Sequence, residues 1–449
     1  MRMRVILPVV LVVAAGAVVV ARVALRDEGR PKQGSRLRVL FSGETMGELE
    51  PCHCAGIMAG GLPVRGGYIE QHGGERLLLD TGCIGNGVRD FEVLRMEAAL
   101  RGMAVMGYDA ANIGEHELWL GRDRLLELGE RGVPFVSANV RGDDGTPVVQ
   151  PYVVLKRSRL TVAVTGVVEG GRYRTGPGLS VHPPREALAR LVPQLEKRAG
   201  VIVVLADLEL PAVRDLATDF PEITLILFRG RGDSHAPERV NRTAIASIYG
   251  EARYLGDLTL EWASPGSVSV EGEAVLLDER FSPSPRVVEA CTQWYQETVR
   301  GRTFDLTQAG PGWSRIVSNT PEPGNGYTGS ASCRACHADQ YETWRAGRHA
   351  RAMESLAKRG YDFSPECIVC HTTGYGASDG YESMERTPEL GRVGCEACHG
   401  RGKILLDTRH RETARSGGET TCRQCHTPKR HPHFNFETDW AKIKHEKER

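Results

Sequence analysis

The sequence predicts a layered α/β domain followed by a smaller, mainly α-helical and loop-rich domain. Short β-branched apolar runs alternate with amphipathic stretches from Arg36 to about Leu277, which is typical of a layered α/β fold. A polar segment rich in Gly and Pro, near residues 320–328, indicates a domain boundary. Beyond that segment, regular periodicity gives way to four copies of Cys-x-x-Cys-His. With 449 residues, the chain is long enough for two or three domains.

These observations give predicted domain boundaries. Residues 1–30 form an N-terminal signal peptide or membrane anchor, 36–284 the α/β domain, 285–326 a helix and linker, and 327–449 the domain with the four motifs.

The N-terminal segment predicts export. Arginines at positions 2 and 4 precede an apolar run from Val5 to Ala21, and positive charge before such a run directs the following chain across a membrane. The run fits a cleaved signal peptide or a retained anchor, and the lack of a clear small-x-small cleavage site favours the anchor. Both alternatives place the remainder outside the cytoplasm, anchored or secreted.

The overall charge does not indicate a nucleic-acid partner. Lys plus Arg and Asp plus Glu both number 57, so there is no basic excess to neutralise phosphates.

The α/β domain is predicted element by element from its periodicity. We expect strands at 37–41, 77–80, 133–137, 160–167, 201–205, 223–228, 254–262 and 268–277. We expect helices at 91–101, 122–131, 185–198 and 210–219, and a further helix at 285–300.

The four Cys-x-x-Cys-His motifs predict four covalently bound c-type haems. In such a motif each cysteine pair attaches to one haem and the adjoining histidine ligates its iron. Zinc ribbons do not need a histidine after every second cysteine, and thioredoxin-like redox pairs do not occur in fours. The attachment residues are Cys333, Cys336, Cys367, Cys370, Cys395, Cys398, Cys422 and Cys425, and the proximal ligands are His337, His371, His399 and His426.

A ligand on the opposite face of each iron would have to come from outside the motif. Five histidines follow the first motif outside the motifs themselves, which permits but does not require histidine on both faces of every iron. Two imidazoles favour electron transfer, whereas an open face favours small-molecule chemistry.

The C-terminal domain resembles the cytochrome c-554 family of periplasmic tetrahaem carriers, over about residues 327–449. The similar stretches are 344–350, with sequence WRAGRHA, 370–375, with CHTTGY, 394–400, with GCEACHG, and the closing 440–445, with WAKIKH. The resemblance implies packed haem pairs that exchange electrons with a redox partner protein, although this family can leave one haem five-coordinate. It implies distal ligands at His349, His410 and His445, and a fourth at His433 or else His431.

The α/β domain resembles the periplasmic 5′-nucleotidase branch of the metallophosphoesterases. The similar segments are 41–49, with sequence FSGETMGEL, 60–62, with GGL, 78–83, with LLDTGC, 107–110, with GYDA, and 114–117, with GEHE. Enzymes of this branch use two divalent metals to activate water, which requires several carboxylates and histidines at strand ends.

Relative to that family, this chain lacks several metal ligands. Glu44 and Met46 stand where the family has Asp and His, Cys83 stands for the bridging Asp, and Glu115 stands for Asn. No histidine occurs near Asp207 or in the segment 229–232. We therefore do not expect phosphoester hydrolysis.

The replacements leave a candidate thiol site. Cys52, Cys54, Cys83 and His116 are the candidate catalytic residues if the fold brings them together, with His53 beside them. Such a set could bind a soft metal such as copper or zinc, form a reversible disulfide or attack sulfur compounds. Alternatively, Cys52 or Cys54 forms a structural disulfide with Cys83. Cys291 is expected to be a buried packing residue.

Two functions follow from these residues. The first is an exported multihaem cytochrome that carries electrons to or from a periplasmic or membrane partner. The alternative is an oxidoreductase that uses the Cys/His site or an open-face haem, connected to the other haems.

Overall fold

The computed structural model describes residues 29–51, 59–171, 174–230, 234–264, 266–300, 302, 304, 326–358, 360–402, 418–428, 431 and 433–445. Most of the predicted anchor or signal segment, together with Cys52, Cys54 and His410, lies outside these residues. Within the described ranges, no helix combines the length and the apolar character needed to cross a membrane.

The chain divides into two compact units. Among the described residues, 29–51, 59–86 and 96–291 form the first unit, and 87–95 with the residues from 292 onward form the second. The predicted domain boundaries remain a prediction.

The first unit is an α/β structure with two main sheets. Its strands are β1 (Arg36–Ser42), β2 (Leu77–Asp80), β3 (Ala110–Asn112), β4 (Phe135–Val136), β5 (Val140–Arg141), β6 (Tyr152–Arg157), β7 (Leu160–Val168), β8 (Ser180–Val181), β9 (Val201–Asp207), β10 (Leu225–Arg229), β11 (Glu238–Val240), β12 (Thr243–Ile248), β13 (Tyr254–Ser264) and β14 (Ser267–Leu276).

The strand order explains why apolar runs dominate the sequence of this unit. One sheet has the order β14-β13-β1-β2-β3-β4 and the other has β11-β12-β10-β9-β7-β6. β1, β2, β3 and β4 are mutually parallel, as are β7, β9, β10 and β12. Both sheets contribute to one buried cluster that includes Val39, Leu79, Val164, Leu205 and Leu227. Strands buried on both faces read as continuous apolar runs, which matches the sequence of β7 and β9.

Helices alternate with these strands. They are Leu62–Gln71, Asp90–Met106, Glu115–Trp119, Arg122–Gly129, Pro184–Leu195 and Leu210–Asp219. The helix predicted at 285–300 consists of Pro285–Val287, a π-helical turn at Val288–Gln293 and Trp294–Val299. The predicted layered α/β class is confirmed. Cys291 is buried as expected.

The sequence analysis missed several elements. Leu62–Gln71 contains the pair Gly66-Gly67, which weakens helical periodicity, yet both glycines are required by packing. A Cβ on Gly67 would lie 1.8 Å from the Ser282 carbonyl oxygen. β6 and β12 were also missed, and β12 is buried throughout because it lies inside its sheet.

The second unit is built from short helices and turns. Its α-helices in the described residues after 325 are Ala338–Ala346, Ala352–Ala357, Pro365–His371, Cys395–His399, Glu419–Cys422 and Phe436–Trp440. Short 3₁₀ turns lie at Ser330–Cys333, His349–Arg351 and Pro388–Leu390. The predicted loop-rich helical class is confirmed.

The apolar core of the second unit is small. Its described cluster consists of Met353, Leu356, Ile368, Tyr381 and Leu390, with Cys367 packed against it. Such a core is small for a segment of this length, which fits a domain in which porphyrin rings supply apolar contacts.

Candidate functional site

The first candidate site lies at the carboxyl ends of the central strands of the α/β unit. The loop after β1 carries Glu44, the loop after β2 carries Cys83, and the segment after β3 carries Glu115 and His116. β9 ends at Asp207 and β10 ends at Arg229. Parallel strands end at the same edge within each sheet, and contacts of Arg229 and Asp207 with Glu44, Glu115 and Cys83 join the two edges, so five chain segments meet in one buried cleft.

The loops around the cleft are held in unusual backbone conformations. Glu44, Met46 and Cys83 have φ values of 53°, 55° and 60°, which are sparsely populated by side-chain-bearing residues. Backbone hydrogen bonds join the loops, from Glu44 N to Gly82 O at 2.9 Å and from Met46 N to Cys83 O at 3.0 Å. The two loops therefore hold each other in place.

Glu117 organises the same loops through its buried carboxylate. It accepts backbone hydrogen bonds from Cys83, Ile84, Gly85 and Gly114, at 2.8, 2.9, 3.3 and 2.9 Å. Burial raises the pKa of Glu117 above its ordinary value, and the backbone donors act in the opposite direction. Both oxygens of the Glu117 carboxylate are therefore used as acceptors for main-chain N–H groups.

The Arg229 guanidinium occupies the centre of the cleft. Its Nε donates to Asp207 Oδ1 at 2.9 Å, and its other nitrogens lie 3.4 Å from Glu115 Oε2 and 3.6 Å from Glu44 Oε1. The Arg229 side chain is 5% exposed. Burial disfavours the charged guanidinium and acts to lower its pKa. The neighbouring Cys83, Asp207 and Glu44 outweigh this effect, so the pKa of Arg229 is raised above its ordinary value. A fixed positive charge lies where the carboxylates converge, and it opposes the binding of a divalent cation there.

Cys83 is a buried thiol in this cleft. It is fully buried and free, and its Sγ donates to Asp207 Oδ2 at 3.6 Å. Burial and then the Asp207 carboxylate raise the thiol pKa well above its ordinary value. The alternative of a disulfide between Cys83 and Cys52 or Cys54 stays a prediction, because both partners lie outside the described residues. The environment also opposes the thiolate that nucleophilic or soft-metal chemistry requires.

His116 lies in the same region but is held by its own contacts. Its Nδ1 lies 2.7 Å from the Gly85 carbonyl oxygen, and its ring packs on Trp119 at 4.5 Å between ring centres. Burial lowers the pKa of His116. Cys52 and Cys54, the remaining candidates, lie outside the described residues, so the thiol site itself stays a prediction. Among the side chains that are described, no three His, Cys, Asp or Glu are arranged to hold a metal ion.

The second candidate site is formed by the four Cys-x-x-Cys-His motifs. Helices contain the second and third motifs, at Pro365–His371 and Cys395–His399. The first motif follows the turn Ser330–Cys333, and the fourth begins at the end of Glu419–Cys422. In both of these, the histidine backbone N–H donates to the first cysteine carbonyl at 2.9 Å. One helical turn therefore brings each histidine back over its cysteine pair.

Thiols of different motifs lie next to one another. A hydrogen bond with Cys333 of the first motif lowers the pKa of Cys395 of the third to about 7. A hydrogen bond with Cys370 of the second motif raises the pKa of Cys425 of the fourth. Cys398 and Cys422 are also electrostatic neighbours. The motifs are thus grouped as first with third and second with fourth, and the third adjoins the fourth.

Two of the predicted distal histidines face motif histidines. The ring centres of His349 and His426 are 6.2 Å apart, and those of His399 and His445 are 5.7 Å apart. Histidine–metal bonds are about 2 Å long, so imidazoles on opposite faces of one metal have ring centres roughly 6 Å apart. These two pairs therefore fit one iron each.

Burial keeps the paired imidazoles in the form that binds metal. It lowers the pKa values of His349, His426 and His445, with neighbouring histidines acting in the same direction. A metal-binding nitrogen must be unprotonated, so a neutral ring suits ligation. His371 of the second motif has its Nδ1 2.8 Å from the Ala352 carbonyl oxygen, which leaves Nε2 for a metal.

The structure separates the two candidates for a fourth distal ligand. His433 is exposed, whereas His431 is partly buried with its Nδ1 2.8 Å from Nδ1 of His426. Exposure does not decide between them, because His445, which faces His399, is exposed as well, so the choice of His433 stays a prediction. His410 lies outside the described residues.

Sequence reasoning missed the roles of Arg229 and Glu117. The sequence analysis considers the segment 229–232 only for its lack of a histidine. The available signal was the presence of a cationic side chain, Arg229, where the resemblance implies a neutral histidine ligand. Glu117 lies directly after His116, and nothing in its local pattern indicated four main-chain donors.

Comparisons with known proteins agree with both halves of the chain. Residues 332–400 match the family described as "Cytochrome c554 and c-prime". Cytochrome c-554 of Nitrosomonas europaea is 36% identical over 92 residues, which cover 17% of this chain and 39% of that protein. A 5′-nucleotidase of Vibrio cholerae is 28% identical over 145 residues, which cover 31% of this chain and 26% of that protein.

Solved structures match the α/β half. The sulfate thiohydrolase SoxB of Thermus thermophilus has a TM-score of 0.52 at 20% identity, covering 61% of this chain and 62% of SoxB. The calcineurin-like phosphoesterase YfkN of Bacillus subtilis has a TM-score of 0.50 at 20% identity, covering 59% of this chain and 98% of that structure. The chain spans well under half of the length of the curated relatives named above.

The matches confirm both resemblances and support covalent c-type haem in the C-terminal part. The chain therefore joins an N-terminal α/β region of the metallophosphoesterase fold to a C-terminal segment that is similar to cytochrome c554 over residues 332–400.

Proposed function

We propose that this protein is an exported tetrahaem c-type cytochrome that carries electrons to or from a redox partner protein on the periplasmic side of the bacterial inner membrane. The observation that carries the proposal is the grouping of four Cys-x-x-Cys-His motifs in one unit, with thiols of different motifs in contact. Haems attached there would accept and release single electrons between close neighbours.

The protein residues would hold the haems in a defined way. The eight motif cysteines attach the haems, and His337, His371, His399 and His426 bind on the proximal side. We assign His349 as the distal ligand opposite His426, and His445 opposite His399, because of their ring spacings. His410 then remains for the first or the second motif. We assign neither His431, which is hydrogen-bonded to His426, nor His433 to an iron, so one of those two irons has no distal histidine in this proposal.

Two measurements test this proposal. A pyridine haemochrome assay on the purified, exported protein should give four haems per chain, and a value near zero would contradict a cytochrome. EPR of the oxidised protein should show low-spin signals from bis-histidine haems and one high-spin signal. Four low-spin signals would contradict the unequal allocation while leaving the cytochrome proposal intact.

The α/β unit would serve as a scaffold or docking surface rather than as a hydrolase. Arg229 lies among Glu44, Glu115 and Asp207, at or near positions where the resemblance implies metal ligands, and its charge opposes a divalent cation. Release of phosphate from nucleotides in the presence of Mn²⁺ would contradict this proposal.

The described residues do not favour the alternative of a sulfur or metal oxidoreductase. Cys83 is buried and its pKa is raised, both of which oppose thiolate chemistry. A Cys83→Ser variant should therefore reduce or oxidise sulfur compounds at the rate of the unmodified protein, with unchanged haem content. A selective loss of such activity would revive the alternative.

A further inference from the structure

The surroundings of His426 in the fourth motif show a feature that the family comparison does not assign. Its imidazole is contacted on three sides, by His431, Phe434 and His349. The Phe434 ring stacks on it at 4.7 Å with an interplanar angle of 14°, and His349 faces it at 6.2 Å and 60°. The orientation of this imidazole is thus defined before any metal is considered.

The contact with His431 is a hydrogen bond between ring nitrogens. The two Nδ1 atoms are 2.8 Å apart, so one carries the proton and the other supplies its lone pair. Two nitrogens bound to opposite faces of one iron would be about 4 Å apart, with ring centres roughly 6 Å apart. The observed ring-centre distance is 5.1 Å. An iron ion does not fit between these two rings.

We propose that His431 is a positioning residue for His426: it accepts a hydrogen bond from the Nδ1–H group of His426 and is not an iron ligand. This inference rests on the proposed haem binding. It assigns Nε2 of His426 to the iron, with His349 on the opposite face. It also removes His431 from the set of distal ligands.

The choice of acceptor has a chemical consequence. In the second motif the proximal His371 has a backbone carbonyl oxygen, that of Ala352, at 2.8 Å from its Nδ1. An imidazole nitrogen is a stronger base than a carbonyl oxygen, so the bond from His426 makes that ligand a stronger electron donor. A stronger donor stabilises the oxidised iron, which lowers the reduction potential of the fourth-motif haem relative to a haem with a carbonyl acceptor.

The experiment compares three variants of the full-length, haem-loaded protein. His431→Leu removes the acceptor, His431→Asn keeps an acceptor oxygen near the Nδ1 position, and His433→Leu removes the exposed neighbouring histidine as a matched control. Each is studied by pyridine haemochrome assay, EPR and spectroelectrochemical redox titration. We expect His431→Leu to raise the potential of one haem, with unchanged haem content and spin state. His431→Asn should restore most of the potential, and His433→Leu should leave every potential unchanged.

The outcomes separate this inference from the proposed function. A new high-spin signal in His431→Leu would show that His431 is an axial ligand and would overturn the inference. Four haems with unchanged potentials in His431→Leu would also overturn it, without affecting the cytochrome proposal. An unmodified protein without covalent haem would instead refute the proposed function.

Discussion

Arg229 donates from Nε to Asp207 Oδ1 at 2.9 Å, so a side-chain cation is bound at the carboxyl ends of β9 and β10. Both side chains are nearly inaccessible to solvent, at 5% and 0% exposure. The resemblance to the metallophosphoesterases implies metal ligands near these strand ends. In this protein a buried ion pair lies there instead.

Removing the cation should destabilise the α/β unit. In Arg229→Met the Asp207 carboxylate stays buried without its guanidinium partner, and breaking a buried pair in this way costs about 3–5 kcal/mol. Urea unfolding followed by circular dichroism measures the loss. Arg185→Met, which breaks the exposed 2.8 Å pair with Asp219, should cost less than about 1 kcal/mol. Equal effects of the two substitutions would contradict a structural role for Arg229.

The cation should also prevent binding of a hard divalent metal. Mn²⁺ binding to a folded site would raise the melting temperature, and above Kd the rise would grow with the logarithm of the Mn²⁺ concentration. We expect no such rise for the unmodified protein, because the Arg229 guanidinium repels the ion. Differential scanning calorimetry with and without millimolar Mn²⁺ checks this, and a reproducible upward shift would show that a metal site persists.

The Glu117 carboxylate should be essential to the loops around Cys83. Each of its oxygens accepts two main-chain N–H groups, from Cys83 and Gly114 on one and from Ile84 and Gly85 on the other. Glu117→Gln turns one acceptor into a donor that faces two N–H groups, and hydrogen bonds to charged groups are worth about 1.5–3 kcal/mol each. We expect a loss of about 3 kcal/mol or more in urea unfolding. The exposed Glu127→Gln is the control and should change stability little.

The stability of the α/β unit should depend on Asp80. Burial raises the pKa of Asp80 to about 6, although hydrogen bonds from Ser42 and the Gly82 N–H oppose the shift. In the unfolded chain the pKa is about 4, so the folded state retains this proton to a higher pH than the unfolded state. Its stabilising contribution is complete below about pH 4 and is lost as the pH rises to about 6, by up to about 3 kcal/mol.

Asp80→Asn removes this titration. The variant should therefore gain stability relative to the unmodified protein between about pH 4 and pH 7. Urea unfolding at several pH values gives the difference. Asp257→Asn should show the opposite trend, because the hydrogen bonds from Arg38 and Tyr68 outweigh burial and lower the pKa of Asp257. A pH-independent difference for Asp80→Asn would contradict the assignment.

His349 should be the distal ligand opposite His426. Replacing it by alanine removes one imidazole from a haem whose cysteines and proximal histidine remain, so haem content should stay at four. EPR should then show one low-spin signal replaced by a high-spin signal. His433→Ala is the control, since the proposal assigns His433 to no iron, and it should leave the spectrum unchanged. An unchanged spectrum for His349→Ala would exclude the assigned pair.

The sequence analysis could predict those features that are encoded locally. The strand from Leu160 to Val168 is a mostly apolar run, and the strand from Arg36 to Ser42 contains the apolar run Val39-Leu40-Phe41. Leu210–Asp219 has an amphipathic period that predicted both of its ends. The haem attachment cysteines and the proximal histidines could be predicted from the five-residue motif Cys-x-x-Cys-His, because haem attachment needs these three side chains on one turn of backbone. Loss of the metal ligands could be read position by position from the resemblance.

Other features depend on residues that are far apart in the chain. Glu44, Glu115, Asp207 and Arg229 lie in four separate segments, and only the meeting of both sheets shows that one guanidinium contacts all three carboxylates. In the same way, the sequence did not decide between His431 and His433 as ligands, since both follow the fourth motif closely. Their distinction required the folded positions of the two rings relative to His426, because hydrogen bonds and metal ligation are decided by differences of about 1 Å in space, which sequence separation does not specify.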